Sequence, residues 1–95
     1  PVFYFDQPVE CIGAADPNEV SIPVPHAYFK SILTENNRGT LNMWSFIIPN
    51  IEDTGPLADY RVPTRKVERI AGIKLWQRLV GQKIEREKNT VRAMW

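Results

Sequence analysis

The chain holds one cysteine, Cys11, and one histidine, His26. A lone cysteine closes no intramolecular disulfide and cannot build a cysteine-based zinc site, although this places the protein in no particular compartment. The expected state of Cys11 is a semi-buried thiol in a strand, with an intermolecular bridge as the minor alternative. The five glycines are scattered, so there is no phosphate-cradling loop. None of Ser21, Ser31 and Ser45 sits in a Gly-x-Ser-x-Gly turn. No apolar run approaches the roughly 20 residues of a membrane span, so no membrane partner is expected. Pro1-Val2-Phe3-Tyr4-Phe5-Asp6 has no basic stretch or small-residue cleavage site, so no signal peptide is expected either.

What is present is ordinary globular composition, 43% hydrophobic and 24% charged. Ninety-five residues allow one domain at most, and a chain of that size buries only about two-thirds of its unfolded surface. Residues 1–95 are therefore read as a single unit, folding with little margin. A strand-like run starts one residue after Pro1, with no initiating Met and no looser lead-in, which suggests a piece of something longer.

The net charge of +1 conceals a division. Residues 1–60 carry two cations, Lys30 and Arg38, against eight anions; residues 61–95 carry ten cations against three anions, Glu68, Glu85 and Glu87. A basic third suits nucleic acid, an acidic protein, or the acidic front of the same chain. All eight prolines lie at or before Pro63, so the front is turn-rich and the back permits helix.

Val2–Phe5 reads as a short strand, with Val9–Ile12 as its neighbour. Asp16-Pro17-Asn18-Glu19 reads as a turn. Pro23 and Pro25, flanking Val24, fit only an extended lead-in or a sheet edge. Ala27–Thr34 and Leu41–Ile48 alternate as strands. The short Glu35-Asn36-Asn37-Arg38-Gly39 loop between them predicts an antiparallel hairpin, and apolar residues on both faces predict a sheet covered on both sides. Pro49 and Asn50 end the second strand. Thr64 is placed as N-cap of a two-turn helix, with Val67, Ile70 and Ala71 at helical spacing and Gly72 at the position after it. Ile73–Trp76 is an apolar run, with Trp76 expected in the core. Residues 82–95 read as a polar, partly helical tail.

No active site assembles from the residues. His26 has no acid or thiol at metal-ligand spacing and is expected to be a hydrogen-bonded residue at a strand end. The acidic pairs Glu52-Asp53 and Glu85/Glu87 are expected to be solvated. The catalytic and metal-ligating sets are therefore empty. The one candidate binding pair is Arg65 and Lys66. They are cations in the first helical turn, where they oppose the macrodipole unless they are simply solvated or, with free N–H groups, face a phosphate or an acidic partner. Tyr60, Trp76 and Trp95 are interleaved with these cations in a pattern that suits base stacking, against which stands a plain core role.

Three motifs, in order, carry a resemblance. Ile22-Pro23-Val24-Pro25-His26-Ala27-Tyr28-Phe29-Lys30-Ser31-Ile32-Leu33 is similar to the Pro-x-x-Tyr/Phe-Phe/Trp-Lys strand of the DNA/RNA non-specific endonucleases, the ββα-metal nucleases. Phe46-Ile47-Ile48-Pro49-Asn50 resembles their Pro-Asn strand end. Tyr60-Arg61-Val62-Pro63 with Val67-Glu68-Arg69-Ile70-Ala71-Gly72-Ile73 resembles their Ile-Glu-x-x-Ser/Thr-Gly helix. Pro1-Val2-Phe3 looks like the tail of their Thr-Gly-Pro strand, upstream of which lie the family's Asp-Arg-Gly-His and metal-binding Asn. None of those is in this sequence, and His26 is not that histidine.

The resemblance implies an α+β fold: an antiparallel sheet with a short covering helix, the C-terminal half of a nuclease sandwich. It implies Mg²⁺-dependent phosphodiester hydrolysis of DNA and RNA by an intact protein, with Mg²⁺ the cofactor there, none on this chain, and this chain inactive alone. The expected partners are DNA and RNA, an N-terminal half, and a second copy forming a homodimer. The expected settings are secreted, periplasmic or mitochondrial. The alternative is a small non-catalytic domain that binds nucleic acid or an acidic protein through its basic third.

Overall fold

A computed structural model describes residues 1–13 and 21–94. The turn expected at Asp16–Glu19 lies outside them, as does Trp95. The framework is the hairpin. Strand β3 (Ala27–Glu35) pairs antiparallel with β4 (Leu41–Pro49) over nine matched positions, from Ala27 opposite Pro49 to Glu35 opposite Leu41. The loop closes because the Asn36 side-chain oxygen accepts the N–H groups of Arg38 and Thr40, both at 2.9 Å. Gly39 supplies the left-handed residue, φ 78°. The short strand β5 (Arg61–Val62) adds to the other edge of β4, giving the order β3-β4-β5. A separate ribbon joins β1 (Cys11–Ile12) to β2 (Ile22–Pro23).

Two helices complete the chain. Helix α1 runs Thr64–Ala71 and ends where expected, on Gly72 at φ 69°, whose N–H bonds back to Glu68. Helix α2 is Gln82–Lys88. No helix among the described residues is long and apolar enough to cross a membrane.

Alternation places side chains of β4 on opposite faces, and both faces are covered as the apolar pattern predicts. Met43 is buried on one and Phe46 on the other, with Val2, Ala27 and Val67 completing the buried apolar set. On the Met43 face, a chain of hydroxyls crosses from sheet to helix. Ser31 Oγ lies 2.9 Å from Ser45 Oγ, which lies 2.7 Å from Thr64 Oγ1, while the Trp76 indole N–H donates to Ser31 Oγ at 3.1 Å. Each hydroxyl of this chain thereby finds a partner.

Five expectations change. Val2–Phe5 is not a strand: only Val2 pairs, in a single bridge to Ala27, because the Tyr4 N–H is taken by the His26 ring instead of a ladder. Cys11 and Ile12 pair with β2, not with the N-terminal segment. Cys11 is exposed, since a two-stranded ribbon covers nothing. Thr64 is the first residue of α1 rather than its cap. Pro63 holds the cap position, and the Thr64 hydroxyl is committed to Ser45. Trp76 is half-buried rather than enclosed in the core, with a left-handed backbone of φ 52°.

Candidate nucleic-acid interface

Arg65 and Lys66 sit side by side in sequence but do different work. The Arg65 guanidinium is drawn across to acidic side chains: Nη1 lies 3.1 Å from Glu68 Oε1, without hydrogen-bond alignment, and Nη2 bonds Glu85 of α2. Lys66 is exposed. It stands at a cleft of about 340 Å³ with Tyr60, Arg61 and Asp59. Arg61 is fixed there, donating from Nε to the Ala58 carbonyl and from Nη1 to the Arg92 carbonyl, both at 2.8 Å. The structure thus leaves Lys66 presented to solvent and ties Arg65 into the join between the helices. The cost of cations at a helix N-terminus is offset at Arg65 by the two carboxylates.

Below this surface lies an ion network that composition alone did not single out. Glu68 is buried, and its Oε2 accepts the Leu75 N–H at 3.0 Å and the Lys88 ammonium at 3.2 Å. Lys88 is equally buried. Glu87 overturns its expected solvation: it is buried, accepting the Met43 N–H at 3.0 Å and gripping Arg92 through both oxygens, with Nη2–Oε2 at 2.7 Å. Glu85, Glu52 and Asp53 are exposed as expected. The Glu87–Arg92 fork clamps the chain after α2 onto β4, and the Trp44 indole N–H reaches the Ala93 carbonyl at 2.8 Å beside it. The signal for Glu87 was not local, since its backbone partner lies 44 residues away.

The Arg92 hydrogen bond, with help from Met43 and against the opposing effect of burial, holds the Glu87 carboxyl below its ordinary 4.5. The same bond raises Arg92. The unfolded chain therefore binds the extra proton first. Stability from this group is complete above about pH 4.5 and is lost as pH falls below it, through the folded value. In E87Q, the acid limb of a plot of urea midpoint against pH should be shallower than in the parent; an unchanged limb would refute the assignment.

His26 is structural, as expected. The Tyr4 N–H can only donate, so Nδ1 accepts at 2.8 Å and the proton is on Nε2, which donates to the Pro8 carbonyl at 2.8 Å. The ring also stacks on Tyr4, with centroids 5.7 Å apart. Asn50 secures the same corner, donating from Nδ2 to the Pro25 carbonyl at 3.0 Å and from its N–H to the His26 carbonyl at 2.9 Å. Two of the sequence motifs, Ile22–Leu33 and Pro49-Asn50, therefore meet at one corner, and the third, around Glu68, anchors the helices.

No group of three or more His, Cys, Asp or Glu able to hold a metal ion occurs among the described residues.

An antiparallel sheet covered by a short helix, with scaffold motifs locked together and cations on the outside, defines an α+β segment. The profile of the DNA/RNA non-specific endonuclease family matches residues 7–82, and the chain belongs to that family. It is 38% identical over 69 residues to mitochondrial endonuclease G of Caenorhabditis elegans, covering 70% of this chain and 22% of that protein. It is 31% identical over 70 residues to a nuclease of Syncephalastrum racemosum, covering 72% and 21%. A chain in the crystal structure of the EndoG/EndoGI complex shares the fold, with TM-score 0.62 at 22% identity over 96% of this chain and 37% of that one. The chain spans about a fifth of the length of the curated relatives it matches.

Proposed function

We propose that this chain is the C-terminal scaffold of a Mg²⁺-dependent endonuclease that hydrolyses phosphodiester bonds in DNA and RNA. The family match over residues 7–82 carries the reading. On it, residues outside this chain would hold Mg²⁺, which would supply charge stabilisation at the phosphate. The residues here build the sheet and helix against which such a site stands, and Lys66 offers a cation to the backbone of the nucleic acid.

The surface supports an intimate partner for the scaffold. The radius of gyration is 16.6 Å, against about 12 Å for a compact chain of this length. The exposed area is 7167 Å², against about 5,600 Å² for a globule of this mass. The excess exceeds what one partner contributes to a standard interface, about 800 Å². Phe5, Ile12, Ile22 and Ile51 are each more than half exposed. The N-terminal remainder of the family fold is the occupant this reading assigns. A second copy, forming a homodimer, would present as twice the monomer mass on size exclusion.

The test is cleavage of plasmid DNA and of RNA by the full gene product that contains residues 1–95, with Mg²⁺ and with EDTA, beside residues 1–95 alone. Mg²⁺-dependent, EDTA-sensitive cleavage by the first and none by the second is expected. Cleavage by residues 1–95 alone, or none by the full product, overturns the reading. The exposed cations Lys66, Lys83 and Arg86 favour a second reading, a binding module without catalysis. In that case the full product binds duplex DNA at low salt and cleaves nothing.

A further inference from the structure

On the far side of α2 from the Glu68 pair, the hairpin turn and the helix enclose a cleft of about 610 Å³. Four cations line it: Arg38 from the turn, Lys83 and Arg86 from α2, and Arg92 beyond it. One carboxylate, Glu87, faces them, and it is already occupied by Arg92 and by the Met43 N–H. The side chains of Arg38, Lys83 and Arg86 have no carboxylate within 4.0 Å among the described residues. The cleft therefore carries a net charge of +3. Folding also gathers charge that the sequence keeps apart. Arg38 is one of only two cations in the acidic first 60 residues, and the Asn36-clamped turn delivers it to the basic third.

The remaining wall is apolar. Leu41 and Ile84 are half-buried, and Val80 is 81% exposed. Three unpaired cations beside an apolar wall match a ligand that is anionic along one edge and flat and apolar along the other. A duplex shows only its phosphates and groove edges; a single strand shows phosphates and base faces together. We infer that this cleft binds a single-stranded stretch of nucleic acid, with phosphates on Arg38, Lys83 and Arg86 and a base against Val80. The cleft is separate from the Lys66 surface. The identity of the ligand rests on the nucleic-acid reading above, while the site does not depend on cleavage.

The test is fluorescence anisotropy in EDTA, with a labelled 12-nucleotide single strand titrated by the full gene product at three salt concentrations. Sodium tripolyphosphate serves as the free-anion competitor. In R38Q/K83Q/R86Q, affinity should fall at least tenfold, and the slope of log K against log salt should become shallower by about 2, from roughly 0.7 per lost phosphate contact. V80S should weaken the oligonucleotide several-fold and leave tripolyphosphate unchanged. K30Q/R69Q/K74Q removes equal charge elsewhere and should change affinity less than twofold. An equal loss in that control variant means diffuse charge attraction and overturns the site. Tripolyphosphate binding as tightly as the oligonucleotide means a free-anion cleft and overturns the ligand. Binding that survives the cleft variants in a protein that still cleaves refutes this inference alone; cleft-dependent binding by a protein that cleaves nothing refutes only the endonuclease reading.

Discussion

E68L should be the most damaging single charge change in the chain, lowering stability by about 3–5 kcal/mol, the usual cost of removing one partner from a buried ion pair. Glu68 and Lys88 are 8% and 5% exposed, and the Glu68 Oε2–Lys88 Nζ distance is 3.2 Å. Removing the carboxylate leaves an ammonium enclosed without a counter-ion and the Leu75 N–H without its acceptor. A domain of this size has about 5–15 kcal/mol in total, so partial unfolding at room temperature is expected. Circular dichroism in a urea titration reads it. The double variant E68L/K88M separates the cost of an orphaned charge from the worth of the pair. Replacing both partners with apolar groups should recover most of the loss, because burying two charges is itself expensive. If the double variant is no more stable than the single, the harm comes from lost shape or from Leu75, and the pair is not what holds the helices together.

That prediction bears on the family motif. Read as sequence, Val67-Glu68-Arg69-Ile70-Ala71-Gly72-Ile73 is an unremarkable amphipathic turn and a half, and its glutamate would ordinarily be solvated. In the fold, Glu68 is the anchor between α1, the loop after it and α2. The Pro49-Asn50 motif has a similar explanation, since Asn50 ties the end of β4 to the entry of β3. These motifs keep the scaffold together.

The parts legible in advance share one property: their cause is local. The hairpin follows from alternation and a five-residue loop, and the end of α1 from one glycine. Arg65, by contrast, was legible as a cation at a helix start but not as a link to α2, because Glu85 lies 20 residues away. Glu87 read as solvated because its neighbours are charged, yet Met43 N–H and Arg92 draw it inward. The N-terminal segment misled for the same reason. Its residues suit a strand, but His26 competes for the Tyr4 N–H and leaves only Val2 to pair. Side chains that answer distant partners are invisible to spacing and propensity.

The second large effect should come from F46A. Phe46 is completely buried at the middle of the central strand, on the face opposite Met43, with Arg61 and Lys30 as its cross-strand neighbours. Neither neighbour can collapse into the space left by a phenyl ring, because Arg61 is fixed by its bonds to the Ala58 and Arg92 carbonyls and Lys30 is exposed. The expected loss is about 3–5 kcal/mol, transfer and cavity terms together. M43L, on the other face, conserves volume and should cost less than about 1.5 kcal/mol. The comparison tests whether the sheet has two covered faces. Were Phe46 packed only loosely, F46A would fall into the range of M43L in a urea titration. A loss several times larger means that the face of β4 carrying Phe46 and Trp44, and with it the C-terminal residues that reach Trp44 and Arg61, is as much a part of the core as the helix side.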